Sequence, residues 1–270
     1  MPDEIIYPRK GKNDPSIGPV AVMVAMEKDL ALIRRSTEIE GRAAGRILTS
    51  KLYRGTYGHQ GMALVGPMIG APYAVMILEK LIVLGAKKIL FFGWCGSIQQ
   101  GVRIADFVVP DRAVIGEGTS GYYTQNNEYP RPSDGITRAI EESLELCSIP
   151  FHKGPVWSTD APYRETGQKV LLVQGEGVLG VDMELSALFT VARFRQVEIG
   201  ALLVVSDELG TLRWRPGFSS SKFNRSRKTA AEVIPKAIDF QINDFTRLEG
   251  EIRVRRTGVV RRRGFRLITQ

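Results

Sequence analysis

The chain has 270 residues, 43% hydrophobic and 24% charged, with a net charge of +8, enough to bury one large α/β core. It has no run of about 18 apolar residues to span a membrane, and its start, MPDEIIYPRKGK, lacks the basic flank and apolar stretch of a secretion signal, so a cytoplasmic protein is expected. Its two cysteines, Cys95 and Cys147, and two histidines, His59 and His152, lie far apart, which argues against a disulfide framework, a zinc site and a histidine-based triad.

Residues 1–17 are polar, contain Pro and Gly, and read as an arm. Val20–Val24 is a short apolar run, expected to be a buried strand. Ala25–Arg35 has helical spacing, with Leu30, Leu32 and Ile33 on one side. Lys51–Tyr57 and Gly61–Val65 read as a hairpin around Gly58-His59-Gln60. A Gly/Pro loop, Gly66–Pro72, leads into an amphipathic helix over Tyr73–Leu84, closed by Gly85. Lys88–Phe92 is the next buried strand, with Gly93–Ser97 a tight turn after it, and Ala105–Pro110 a further strand. Helices are expected over Pro132–Cys147, Met183–Phe194 and Lys222–Phe245, and strands over Gly154–Trp157, Gly180–Asp182 and Ile199–Ser206. The tail EIRVRRTGVVRRRGFRLITQ concentrates arginine, and the alternation in IRVRR and FRLI reads as a short, charge-guarded β-ribbon. Without interleaved aromatics it offers no base-stacking platform, so no nucleic-acid partner is expected. The alternation of strands and helices gives a single-domain α/β fold over residues 18–246, a mixed central sheet flanked by helices, with the arm before it and an Arg-rich extension over 247–270.

Ligands of open α/β sheets collect at the carboxyl ends of strands, and four such ends carry unusual residues. FFGWCGSI (91–98) has glycines that permit close backbone approach to a ligand, but no GxGxxG, which disfavours a dinucleotide fold. GVLGVDMELSALF (177–189) puts Asp182, Met183 and Glu184 where a strand becomes a helix; a carboxylate there can accept from the paired hydroxyls of a ribose, over an apolar Met wall. LLVVSDELG (202–210) ends a buried strand in Ser206 and Asp207, and desolvation at such a mouth favours a protonated general acid. GPVWSTDAPYRE (154–165) offers Trp157, Pro162 and Tyr163 as a flat wall for a base. Each segment alone is also explained by packing, capping or a turn.

Together these segments resemble the nucleoside phosphorylase superfamily, which includes purine nucleoside and uridine phosphorylases and related nucleosidases, over about residues 18–245. VDMEL is similar to the family's V-E-M-E stretch, which implies that Met183 and Glu184 contact the ribose, and MIGAPYA to a glycine loop that implies Ile69 beside the sugar. VVSDE resembles the purine branch's V-S-D, making Asp207 the group that protonates the leaving base. GWCGSIQ and STDAPY resemble base-side stretches, implying Cys95, Gly96, Pro162 and Tyr163 around the base, with Asp182 and Ser206 beside them; Pro162 stands where a stacking Phe is usual. The implied reaction is dissociative cleavage through an oxocarbenium-like sugar.

The sequence departs from the phosphorolytic pattern where an Arg and a Ser or Thr usually hold phosphate, and carries Phe91 and Trp94 there. Its first strand runs into Ala25-Met26-Glu27-Lys28-Asp29, which resembles the A-M-E-E-E of nucleosidases and puts Asp29 at the water-orienting position, a second catalytic candidate. The resemblance therefore implies cleavage of a nucleoside, with a purine favoured, and with phosphate as co-substrate or water as acceptor. It implies no resident cofactor or metal, no assigned phosphate-binding residue (Arg42, Arg46 and Arg54 being the cationic candidates) and a homo-oligomer, dimer or hexamer. The alternative is a nucleoside-binding protein of the same fold without turnover.

Overall fold

The computed structural model describes residues 4–39, 41–58, 60–125 and 129–257, with side chains to residue 240. The strands are β1 Val20–Val24, β2 Gly45–Ile47, β3 Ser50–Tyr57, β4 Gln60–Gly66, β5 Lys88–Ser97, β6 Phe107–Gly116, β7 Phe151–Thr159, β8 Gly180–Asp182, β9 Glu198–Glu208 and β10 Arg215–Pro216. The helices are α1 Glu27–Ser36, α2 Ala71–Leu84, α3 Asp134–Leu146, α4 Gly167–Gly175, α5 Leu185–Arg195 and α6 Ser221–Thr257. All lie in or on one mixed sheet of order β10-β9-β6-β7-β8-β5-β1-β4-β3-β2.

β1 is buried at every position because it lies between β4 and β5, parallel to both, with helices on each face; that is why its sequence is a continuous apolar run. Alternate residues serve opposite faces. Ala21, Met23, Ile89 and Phe91 pack with α2 and α5, while Val20, Val22, Leu90 and Phe92 pack with α1, α3 and α6. The β3–β4 hairpin forms as the alternation predicts, with Leu52 opposite Val65. Pro72 fits the first turn of α2, where its missing N–H costs nothing, and Gly85 at φ 122° ends the helix.

β5 and β9 also pair, in parallel, so the pairings β5–β8–β7–β6–β9–β5 close into a ring. This ring overturns one expectation. Gly93–Ser97 is not a tight turn but the continuation of β5, with a register shift against β9 at Cys95/Gly96. Its glycines answer crowding instead: a Cβ on Gly93 would lie 2.7 Å from the Phe91 ring, and one on Gly96 2.6 Å from Leu209.

The Arg-rich tail supplies a second correction. Residues 252–256, IRVRR, continue α6 rather than form a ribbon; the rest of the expected ribbon, FRLI included, lies among residues 258–270, outside those described. α6 is nucleated by buried Phe223, Ala230, Ile234, Ala237 and Ile238, and extending an existing helix costs far less than starting one. β2, α4 and β10, all short, had no sequence signal strong enough to predict them. Among the described residues no helix is long and apolar enough to cross a membrane.

Candidate active site

A cavity of about 590 Å³ opens where the carboxyl ends of β5, β8 and β9 meet. On one side, β8 ends in Asp182, whose Oδ2 accepts from the backbone N–H groups of Glu184 (3.0 Å) and Leu185 (2.8 Å) and whose Oδ1 accepts from Ser158 Oγ at 2.5 Å. Asp182 thus caps α5 and fixes the backbone from which Glu184 projects. Glu184 is 6% exposed, and its Oε1 accepts from the Gly70 N–H at 2.6 Å. Gly70 sits at φ 86°, where a side chain is strained, so a glycine there lets the loop after β4 aim its N–H at the carboxylate. Burial raises both carboxyls above their usual range; Asp182's charge raises Glu184 further, whereas three donors oppose the rise at Asp182, so the shared excess proton favours Glu184.

On the opposite side, Asp207 near the end of β9 is gripped at both oxygens. Ser206 Oγ donates to Oδ1 at 2.6 Å and Trp214 Nε1 to Oδ2 at 2.8 Å. β10 pairs antiparallel with β9, Pro216 opposite Asp207, and this hairpin folds Trp214 back onto the carboxylate. Gly96 leaves room: a Cβ there would come within 3.1 Å of Asp207 Oδ2. Cys95 is buried, and its thiol is pushed up by burial and by Asp182 and Asp207, so it serves as an apolar wall rather than a nucleophile.

Glu165 follows the 3-10 turn Pro162–Arg164 and lines the same cavity half-buried. Burial, then the charge of Asp207, pushes its carboxyl up to about 7. The folded chain therefore holds this proton more tightly than the unfolded chain, and the resulting stability, present at acid pH, is lost as pH rises through about 7. Thermal melting of Glu165→Gln, which cannot ionise, should accordingly lose less stability than the wild type between about pH 5 and pH 8; parallel curves would contradict this electrostatic picture.

Aromatic rings close the far wall. Trp94 stands edge-on to Phe223 at 4.9 Å and tilted to Phe218 at 6.1 Å, and Trp214 lies 6.4 Å from Phe218. Behind Trp94, outside the cavity lining, is Asp29, 1% exposed, which accepts from Trp94 Nε1 at 2.6 Å and from Arg227 Nε at 2.6 Å.

Ile69, Cys95, Gly96, Pro162, Tyr163, Asp182, Met183, Glu184, Ser206 and Asp207 all line this one cavity. Asp29 does not, nor do Phe91, fully buried in the core, and the exposed Arg42, Arg46 and Arg54. Sequence reasoning missed Glu165, Trp214 and Phe218. Glu165 closes the aromatic stretch that was singled out, so its signal was present, but Trp214 sits in TLRWRPG, which has no periodicity and is placed by the hairpin alone.

A helix-covered mixed sheet holding a preformed cavity of convergent polar groups and aromatic walls defines an α/β enzyme with a small-molecule site. The chain belongs to the phosphorylase superfamily, which it matches over residues 19–239. It is 28% identical to a guanosine phosphorylase of Halorubrum lacusprofundi over 200 residues, 73% of this chain and 81% of that one. It is 30% identical over 166 residues to a DeoD-type purine nucleoside phosphorylase of Jannaschia sp., covering 58% of this chain and 71% of the relative. Its fold matches a purine nucleoside phosphorylase from Toxoplasma gondii in complex with immucillin-H (TM-score 0.73, 18% identity, 88% of this chain and 96% of that one). It likewise matches an AMP nucleosidase from Bacteroides thetaiotaomicron (TM-score 0.69, 20% identity, 84% and 90%).

Proposed function

We propose that this enzyme cleaves the N-glycosidic bond of a purine nucleoside and passes the ribosyl group to water. The observation that carries the acceptor is the charge of the cavity. Four carboxyls line it (Glu165, Asp182, Glu184 and Asp207), and among the described residues lining it there is no Lys, Arg or His. A phosphate anion entering such a site finds no charge-assisted donor, whereas a sugar acquiring oxocarbenium character is stabilised by whichever of these carboxyls is ionised. Trp94 adds a steric reason, because its indole stands among the lining residues where the family resemblance would put a phosphate-holding hydroxyl.

In this reading Glu184 accepts from the ribose hydroxyls, Met183 and Ile69 pack against the sugar, and Asp207 faces the leaving base, which it serves as proton donor or hydrogen-bond partner. Cys95, Gly96, Pro162, Tyr163 and Ser206 surround the base. Asp29 acts indirectly, through Trp94. Support for a homo-oligomer comes from the apolar mouth of the cavity, where Ile69, Tyr163, Trp214 and Phe218 are exposed.

Phosphorolysis is the second reading, favoured by the names of the relatives, and it needs a cation from another copy of the chain. Purified protein, incubated with purine nucleosides, should release base and free ribose equally fast with and without phosphate. Phosphate-dependent release with ribose 1-phosphate as product would establish the second reading, and no release at all would leave a binding protein. Asp207→Asn is expected to lower turnover by about 100-fold or more with an unchanged circular dichroism spectrum; full activity in that variant removes Asp207 from the chemistry.

A further inference from the structure

We infer that Glu117, which does not line the cavity, is a positioning residue for its ribose side, holding the first turn of α5 through the Ser186 hydroxyl and so fixing the backbone that carries Glu184. The inference rests on the proposed glycosidic cleavage in this cavity and adds a residue that acts on it from behind. Glu117 directly follows β6 and is 8% exposed. Its Oε2 accepts from the backbone N–H groups of Thr119 at 2.5 Å and Ser120 at 3.0 Å. Its Oε1 accepts from the hydroxyls of Ser120 and, at 2.9 Å, Ser186. Three of these donors belong to its own loop. The fourth reaches out of it, because Ser186 stands on α5 two residues after Glu184.

Ser186 is pinned from two directions. Its backbone N–H donates to Ser158 Oγ at 2.9 Å, and that hydroxyl donates in turn to Asp182 Oδ1. With the Glu184 and Leu185 N–H groups on Oδ2, three successive donors at the start of α5 are tied to Asp182, directly or through Ser158. The turn is therefore held by Asp182 from β8, by Ser158 from β7 and by Glu117 from the end of β6. Ser120, Ser158 and Ser186 are fully buried, which shields these bonds from bulk water. Held on three sides, the turn presents the Glu184 carboxyl in one place, as a pair of sugar hydroxyls requires.

Hydrogen bonding alone would not call for a charge at this position. Among the described residues no Lys, Arg or His pairs with Glu117, Asp182 or Glu184, in contrast to Asp29, which Arg227 neutralises. Buried acids without a cation are costly to the fold, so the charge has a use elsewhere. The titratable groups around Asp182 are Glu184 on its own turn, Glu117 from the end of β6 and the Cys95 thiol from β5, with Asp207 from β9 and Glu165 across the cavity. All are acids. Burial raises Asp182 to about 6 against its three donors, and the charge of Glu117 adds to the rise. Losing that charge makes the protons of the Asp182–Glu184 pair easier to remove.

The test is kcat/KM for adenosine and guanosine, each against its 2′-deoxy form, in the wild type, Glu117→Gln and Ser186→Ala. Ser186→Ala cuts the link and leaves every charge in place. Both variants should lower the ribo-to-deoxyribo ratio by about 3- to 10-fold, and the double variant no further than the larger single effect, since both break one connection. Only Glu117→Gln should also move the acid limb of kcat/KM to lower pH. Looser packing alone would lower Tm and leave the ratio and the acid limb where they were, so melting curves are recorded alongside. If Glu117→Gln does not fold, Ser186→Ala decides through the ratio. A ratio unmoved in a folded variant, losses that add in the double variant, or an acid limb that stays in place in Glu117→Gln overturns the role of Glu117 and leaves glycosidic cleavage standing. Absence of cleavage of any nucleoside by the wild type overturns both.

Discussion

Replacing Glu184 with Ala will lower kcat/KM for a ribonucleoside by about 100- to 1000-fold. The carboxylate is buried, oriented by the Gly70 N–H and by the α5 cap that Asp182 makes, and it lines the same cavity as Asp207. On the proposed reading, removing it deletes the acceptor for the sugar hydroxyls and a carboxylate beside the developing cation together. The 2′-deoxyribonucleoside, which lacks one of the hydroxyls, should lose less. The pH profile follows from the same geometry. On the proposed reading Glu184 accepts from both hydroxyls only when ionised, and burial with Asp182's charge pushes its carboxyl up to about 8, so wild-type kcat/KM should fall as pH drops through about 8. Unaltered kinetics in the Ala variant would remove Glu184 from the site.

Asp29→Ala should act on stability first. Its carboxylate and the Arg227 guanidinium, 1% and 8% exposed at the side chain, meet at 2.6 Å between α1 and α6. Taking away the acid strands a buried cation, which costs about 3–5 kcal/mol and a fall in Tm on the order of 10 °C. The Trp94 indole N–H loses its acceptor as well, and the aromatic wall of the cavity loosens. Replacing both partners at once, Asp29→Leu with Arg227→Met, should recover much of the loss, since the penalty belongs to the unpaired charge. Denaturant unfolding measures both; a single variant as stable as the wild type would mean the pair contributes nothing to the fold.

Much of this architecture was legible because burial writes itself into the sequence. β1 and β9 are apolar runs since both their faces are covered, and the β3–β4 hairpin shows its alternation and its turn. The cavity was legible where strand ends carry carboxylates against apolar neighbours, as at Glu184 and Asp207. What escaped depends on long-range closure. The glycines of β5 look like turn residues, and only the β5–β9 pairing shows that they are there for crowding. Asp29 looks like a site residue, since nothing in its own segment announces that Arg227, far along the chain in α6, will claim it.

The closed circuit of strands has an implication for how such an enzyme can change. Cys95, Asp182 and Ser206 lie on β5, β8 and β9, three strands of this circuit, so widening the chamber from within would disturb the hydrogen-bonded girdle itself. The part of the lining that can vary without breaking this circuit lies in the segments attached outside it, around residues 160–166 and 209–218, which carry Glu165 and Trp214.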